Sequence, residues 1–254
     1  MQVAEKMKMH EIDAKGVYYR DLNEKVRQAI SRGEKEILLK NVNGQYYIGD
    51  GLRGGDVRIT IEGVPGNDLA AFMDGPTLIV KGNAQDNIAN TMNGGKVVIH
   101  GHAGDVLGYG MRGGKLHILG DVGYRIGIHM KGYKKQVPVV ICGGTAGDFF
   151  GEYMAGGVLI LLGLDEKSGK PVVGDYLGTG MHGGVIFVRG DVERERCGAE
   201  VGITEPEDGD IALLKEYLTD FCGDFNLNLE GIMKKGFKKL TPASLRPYGN
   251  LYAY

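Results

Sequence analysis

The 254-residue sequence predicts an all-β protein: a single-stranded β-helix, or β-solenoid, of about seven coils with short helical caps at its N- and C-terminal ends. Three observations carry that prediction. A short motif recurs seven times, each copy is followed by an alternating apolar run, and glycine is in large excess, 44 residues of 254, against a usual ~7%. The motif is an anchor, Leu52, Met73, Met92, Met111, Met130, Met154 or Met181, followed two residues later by Gly54, Gly75, Gly94, Gly113, Gly132, Gly156 or Gly183. Successive anchors are 21, 19, 19, 19, 24 and 27 residues apart, so a 19-residue unit carries small insertions in its first, fifth and sixth intervals.

Residues 1–45 are read as an N-terminal cap. Asp21 is placed as the N-cap of a helix with Leu22, Val26, Ala29 and Ile30 on one face, ended by Gly33, and Ile37-Leu38-Leu39 as a strand closing the first coil. Residues 46–192 hold the coils. Four residues before each anchor stands a large apolar side chain, from Ile48 and Leu69 to Phe150 and Leu177, and three before it a Gly or Ala. After each glycine pair comes a short run, Ile59/Ile61, Leu78/Val80, Val97/Ile99, Leu116/Ile118, Val139/Ile141, Leu159/Leu161 or Ile186/Val188, whose period of two means a strand with one face buried. So short a unit has no helical face, so the copies bury their apolar columns only against one another. Glycines are expected at corners where φ > 0 would penalise a Cβ, and at ~4.8 Å per coil the stack reaches about 30 Å. Residues 193–254 should form a helix over Glu205 to Phe221, with Ile211, Leu213, Leu214, Tyr217, Leu218 and Phe221 apolar, then a Tyr-rich tail, Leu245 to Tyr254, that packs along the solenoid or docks on a partner. The whole is one structural domain.

Composition excludes several functions. Thirty Lys+Arg against 32 Asp+Glu leave no basic excess for a phosphate backbone, so no nucleic-acid partner is expected. Met1 to Asp13 lacks an apolar run and no segment is long enough to span a membrane, which points to a cytoplasmic protein. Cys142, Cys197 and Cys222 are widely spaced and read as free buried thiols. Gly49-x-Gly51-x-x-Gly54, Gly108-x-Gly110-x-x-Gly113 and Gly178-x-Gly180-x-x-Gly183 match a dinucleotide fingerprint, but each leads into a strand where the fingerprint needs a helix N-terminus, so they are read as solenoid corners. The three serines, Ser31, Ser168 and Ser244, form no nucleophile elbow, and Gly169-Lys170 is followed by Pro171, which breaks the phosphate-loop pattern. Asp86, Asp105, Asp148 and Asp175 share one register, where turn N–H groups or a cation must satisfy them; Tyr46, Asn67 and Tyr124 break the series and favour the turn. The histidines in the repeats, His100, His102, His117, His129 and His182, fall in five registers and read as surface or turn residues, and the Met column as core. No catalytic, cofactor-binding or metal-ligating residue is assigned.

The unit G-x-x-M-x-G-G-x-[VIL]-x-[VIL]-x-G, with the lead-in from Arg20-Asp21-Leu22-Asn23 to Val42-Asn43-Gly44-Gln45-Tyr46-Tyr47-Ile48-Gly49, resembles the GXGXG domain at the C-terminus of the glutamate synthase large subunit. The resemblance covers nearly the whole chain. It implies a right-handed β-helix that scaffolds an ammonia route, as a stand-alone subunit with glutaminase-type and FMN synthase-type partners. FMN and an iron–sulfur cluster would then sit in a partner subunit and no cofactor in this chain, and a homo-oligomer is compatible. Pro76 and Tyr133 at second-glycine positions, and Leu52 for Met, depart from the pattern. One of the subunits of formylmethanofuran dehydrogenase shares the solenoid and is the alternative scaffold. A free-standing polysaccharide lyase would want a signal peptide and a groove of Asp, Lys and Arg.

The register makes a direct prediction. Met111→Asp should place an unpaired carboxylate inside the stack and cost several kcal/mol. Chemical denaturation checks this, and unchanged stability would remove the Met column from the core.

Overall fold

The computed structural model describes residues 9–164 and 171–243; the insertion holding Ser168 and Gly169-Lys170, and the Tyr-rich tail with Ser244, lie outside them. In chain order the elements are β1 (His10–Asp13), α1 (Tyr19–Ser31), β2 (Glu36–Asn43), β3 (Arg58–Val64), β4 (Asp74–Val80), β5 (Gly94–Ile99), β6 (Lys115–Ile118), β7 (Val139–Cys142), β8 (Ala155–Leu161), β9 (Gly183–Arg189), β10 (Val201–Thr204), α2 (Asp208–Phe225), α3 (Leu229–Met233) and β11 (Phe237–Pro242). One parallel ladder runs from β1 through β9, one strand following each anchor over about six turns. It ends where β11 pairs antiparallel with both β9 and β10.

Register stacks like on like. Ile59, Leu78, Val97, Leu116, Val140, Leu159 and Ile186 form one inward column, and Ile61, Val80, Ile99, Ile118, Cys142, Leu161 and Val188 the other. Opposite them lie the large residues Ile48 to Leu177 and the anchors, all buried, with Met73, Met92, Met111, Met130 and Met154 fully so. Leu22, Val26 and Ala29 of α1 join the same core at its N-terminal end. Asp21 is not the N-cap of α1. Tyr18 holds that place without a side-chain bond, and Asp21 lies in the first turn, where its charge favours the helix dipole instead.

The corner glycines divide two tasks that the sequence reading merged. Gly114 is left-handed, φ +80, whereas Gly113 is not; a Cβ on Gly113 would lie 2.3 Å from the Asn93 carbonyl oxygen one coil below. Close approach of backbones, rather than conformation, excludes a side chain there. Pro76 occupies the place equivalent to Gly114 and its ring forbids positive φ, so the left-handed turn moves back one residue to Gly75, φ +126. At Tyr133 the chain leaves the coil through a turn closed by mutual Tyr133 and Gln136 backbone bonds of 3.2 and 2.9 Å, which accommodates the longer fifth interval.

The outward face of the ladder changes character along the stack. On β3 to β6 it carries Arg58, Thr60, Thr77, Ile79, Lys96, Val98, Lys115 and His117, whereas on β7 to β9 it carries only apolar side chains, Val139, Ile141, Val158, Ile160, Val185 and Phe187. Val139 and Ile141, expected as the inward pair of their coil, face outward because the ladder pairs Val140 with Leu116 and Cys142 with Ile118. Helix α2 covers the apolar part, burying Leu214, Leu218, Phe221 and Cys222 in a second core with those residues. It starts three residues later than the sequence suggested and runs on to Phe225. The Asp210 carboxylate accepts from the Glu207 N–H at 2.9 Å, and left-handed Asn226, φ +55, ends the helix.

Two glycines separate conformation from close approach. Gly113→Ala should cost about 3 kcal/mol, because rigid backbone must give way. Gly127→Ala should cost about 1 kcal/mol, because the Cβ meets the movable tip of Leu159 at 2.8 Å and the same column already holds Ala70 and Ala89. Urea denaturation of the two variants checks the order.

Candidate functional site

The segment before each anchor has an unusual backbone. The residues five, three and one before every anchor are left-handed in all seven coils, with φ between +50 and +80. The middle of the three is Gly or Ala because its Cβ faces the core: on Gly151 it would lie 2.5 Å from Ile186 Cδ1. The outer two project outward and carry whatever the surface uses, including Val106, Arg125, Phe149, Tyr176, Phe72, Thr91, His129 and Tyr153. Each non-glycine residue there costs roughly 1–2 kcal/mol of backbone strain. Inter-coil bonds hold them: Val106 N–H donates up to the Tyr124 carbonyl at 2.8 Å, Gly108 N–H down to Ile88 at 2.8 Å, and Gly110 N–H up to Ile128 at 2.9 Å. The glycines of the G-x-G part of each fingerprint-like match are these left-handed residues, and the matches lead into β3, β6 and β9.

The aspartate register is satisfied by backbone. Asp86 Oδ1 accepts from the Asp105 N–H at 2.8 Å, Asp105 Oδ1 from the Tyr124 N–H at 2.9 Å, and Asp148 Oδ1 from the Asp175 N–H at 2.8 Å. A second ladder three residues earlier works alike, Asn83 Oδ1 accepting from His102 N–H at 2.9 Å and His102 Nδ1 from Asp121 N–H at 2.9 Å. The glycine before each capped residue leaves room for the acceptor: a Cβ on Gly123 would lie 1.8 Å from Asp105 Oδ1. Among the described residues no group of three or more His, Cys, Asp or Glu could hold a metal ion.

Exposed side chains of this left-handed edge form aromatic ladders. His129 stacks on Tyr153 (centroids 5.4 Å apart, 10° between planes) and Tyr109 meets His129 edge-on at 5.8 Å. Phe149 stacks on Tyr176 at 4.8 Å and 9°, with the Arg125 guanidinium 4.5 Å from the Phe149 centroid. An open cavity of about 440 Å³ lies beside the first ladder, bounded by Tyr109, Tyr133, Arg112 and Lys131. Nothing in the sequence reading singled out these rings, although their registers were visible in it.

On the outer sheet face one histidine departs from expectation. His117 is fully buried, not a surface or turn residue, because α2 covers it. Its Nδ1 lies 2.6 Å from Asp224 Oδ2, and Phe221 meets its ring edge-on. Lys96 Nζ donates to Asp220 at 2.7 Å and Asp224 at 2.9 Å, and Lys115 Nζ to Asp220 at 2.7 Å. Burial pushes His117 below the usual histidine range, its bond to Asp224 opposing that shift. Burial would raise Asp220, but its bonds from Lys115 and Lys96 prevail and bring it down to about 2. His117 Nε2 is buried without a polar partner, so a proton there would be orphaned. The arrangement looks like a catalytic His–Asp dyad yet serves to clamp α2. The one described serine, Ser31, donates to the Gln28 carbonyl at the end of α1.

The three cysteines are free; Cys142 fills a core column, Cys222 is buried on the inner face of α2, and Cys197 is only half-buried, against expectation. Burial raises all three thiols above the usual range, against nucleophilic use. No helix among the described residues is long and apolar enough to cross a membrane.

Fold and edge together define a β-solenoid whose repeat is a turn of alternate left-handed residues, Gly-x-Gly in three of the seven copies, stabilised from coil to coil. The chain belongs to the GXGXG motif family, whose model matches residues 19–243. It is similar to an uncharacterized protein of Methanocaldococcus jannaschii, 48% identical over 249 residues and covering 95% of each chain.

The clamp gives stability a pH dependence with a definite sign. A folded His117 pKa below the ordinary 6.5 contributes stability that is present above that value and lost as pH falls from it. The Asp220 contribution is lost lower, between 3.8 and about 2. His117→Phe should therefore narrow the difference in unfolding free energy between pH 8 and pH 5; an unchanged difference would assign the titration elsewhere.

Proposed function

We propose that this chain is a non-catalytic scaffold subunit of a glutamate synthase-type complex, holding glutaminase-type and FMN synthase-type subunits beside the ammonia path. The observation that supports this reading is the extent of the family match, which runs over residues 19–243 and takes in the coils together with their helical caps. The family resemblance supplies the complex; the geometry supplies a suitable part for it. A stack of about 30 Å, tied at every coil, resists bending. Ammonia released at one site is lost to water unless a walled path leads to the next, so two catalytic subunits need a fixed separation. FMN and the iron–sulfur cluster belong, in this reading, to the synthase-type partner.

Reconstitution tests it. Glutamine-dependent glutamate formation by the two catalytic subunits should fall severalfold when this chain is omitted, while synthesis from added ammonia changes less. Equal glutamine-dependent rates with and without it, all three proteins being folded, would overturn the proposal.

A further inference from the structure

The left-handed edge is distinctive in composition as well as backbone. Of the twelve large apolar side chains exposed among the described residues, seven lie in the seven residues before an anchor, from Tyr46 and Tyr47 in the first coil to Tyr153 and Tyr176 in the last two. Tyr153 is 47% and Tyr176 57% exposed. Those same segments, residues 45–51, 66–72, 85–91, 104–110, 123–129, 147–153 and 174–180, hold seven carboxylates and one cation, Arg125, a net charge of -6 against -2 for the whole chain. Rings and carboxylates are thus interspersed along one edge of a rigid stack.

The chain itself shows what such an edge accepts. Arg125 lies over Phe149 while its Nε donates to Glu152 at 3.0 Å, one coil away. Arg196, from beyond the last coil, donates to Asp175 at 2.7 Å beside the Phe149–Tyr176 stack. A guanidinium satisfies both features at once, since its plane stacks on a ring while its N–H fork meets a carboxylate; an ammonium is drawn to a ring only as a point charge, as Lys134 is to Tyr133 at 5.1 Å, and has neither the plane nor the fork. We propose that this edge is the docking face for an arginine-bearing segment of a protein partner. The net negative charge disfavours nucleic acid and anionic lipid. The proposal goes beyond the scaffold reading by naming the chemistry of contact and does not depend on which complex the chain serves.

The test uses the full chain and two synthetic peptides of alternating residues, arginine–glycine and lysine–glycine, of equal length and charge, followed by fluorescence anisotropy. The arginine peptide should bind about fivefold more tightly, a preference of about 1 kcal/mol for planar stacking with forked pairing over a point charge. Tyr109→Ser/Tyr153→Ser/Tyr176→Ser leaves the charge unchanged and should erase that preference. Asp86→Asn/Asp105→Asn/Asp148→Asn should weaken both peptides while leaving the fold intact, because Asn67 already serves as acceptor in that register. Thermal melts of both variants confirm folding. Equal affinity for the two peptides, or a preference that survives the tyrosine variant, would reduce the edge to bulk electrostatics and overturn the proposal; so would concentration-dependent self-association abolished by the tyrosine variant, which would make a second copy the occupant. No catalytic subunit takes part, so failure here is distinct from failure of the reconstitution.

Discussion

Everything in this molecule depends on each coil presenting its backbone N–H and C=O groups to the next coil at matching heights. Within the strands, ordinary parallel pairing achieves this. In the segment before each anchor, alternate left-handed residues turn successive N–H groups toward the coil above, the coil below and the coil above again. The strain of those residues is offset only while both neighbouring coils are present, because the carbonyls that hold them belong to other coils. Side chains follow from this arrangement. Gly and Ala must face the core between the left-handed outer positions, and the opposing Leu and Ile tips fill the space they leave.

Much of this was legible in the sequence. The anchors, the large and small columns and the alternating runs repeat with enough fidelity to give the number of strands, their parallel order and, at every strand after an anchor but β7, the inward face; at β7 the continuous run Val139 to Cys142 hides which alternate residues point inward. The aspartate register was also visible, and its break at Asn67 and Tyr124 pointed to turn hydrogen bonds. Conformation was less legible than placement. Val106, Thr91 and Phe72 carry no local preference for positive φ, and contacts 18 residues away impose it on them. Conversely, Gly113 looks like a conformational glycine and is a steric one.

The outer face illustrates a different limit. Val139-Val-Ile-Cys, Val158-Leu-Ile-Leu-Leu and Val185-Ile-Phe-Val are continuous apolar runs, a signal of strands buried on both sides, and they mark where α2 lies. His117 could not be recognised in the same way. It occupies the outward column between Val98 and Ile141, and only the arrival of Asp224 from 107 residues downstream makes it a buried, paired group. The edge aromatics were hidden for yet another reason: their significance is collective and becomes apparent only when seven coils are superposed.

A solenoid has no intrinsic length, since every coil offers the next the same surface. Helix α2 supplies a measure. Its 18 residues extend about 27 Å, of which about 21 Å separates Asp210, bonded to Lys239 on β11, from Asp224, bonded to Lys96 on β5. The six strands β5 to β9 and β11 span about 24 Å at ~4.8 Å per step. The helix thus works as a gauge laid against a stack of identical plates, its two charged ends fitting only when the count between them is right. Insertions within a coil, as at Tyr133, leave that count unchanged, whereas gain or loss of a whole coil would misalign it, so the chain can vary its loops while keeping its length.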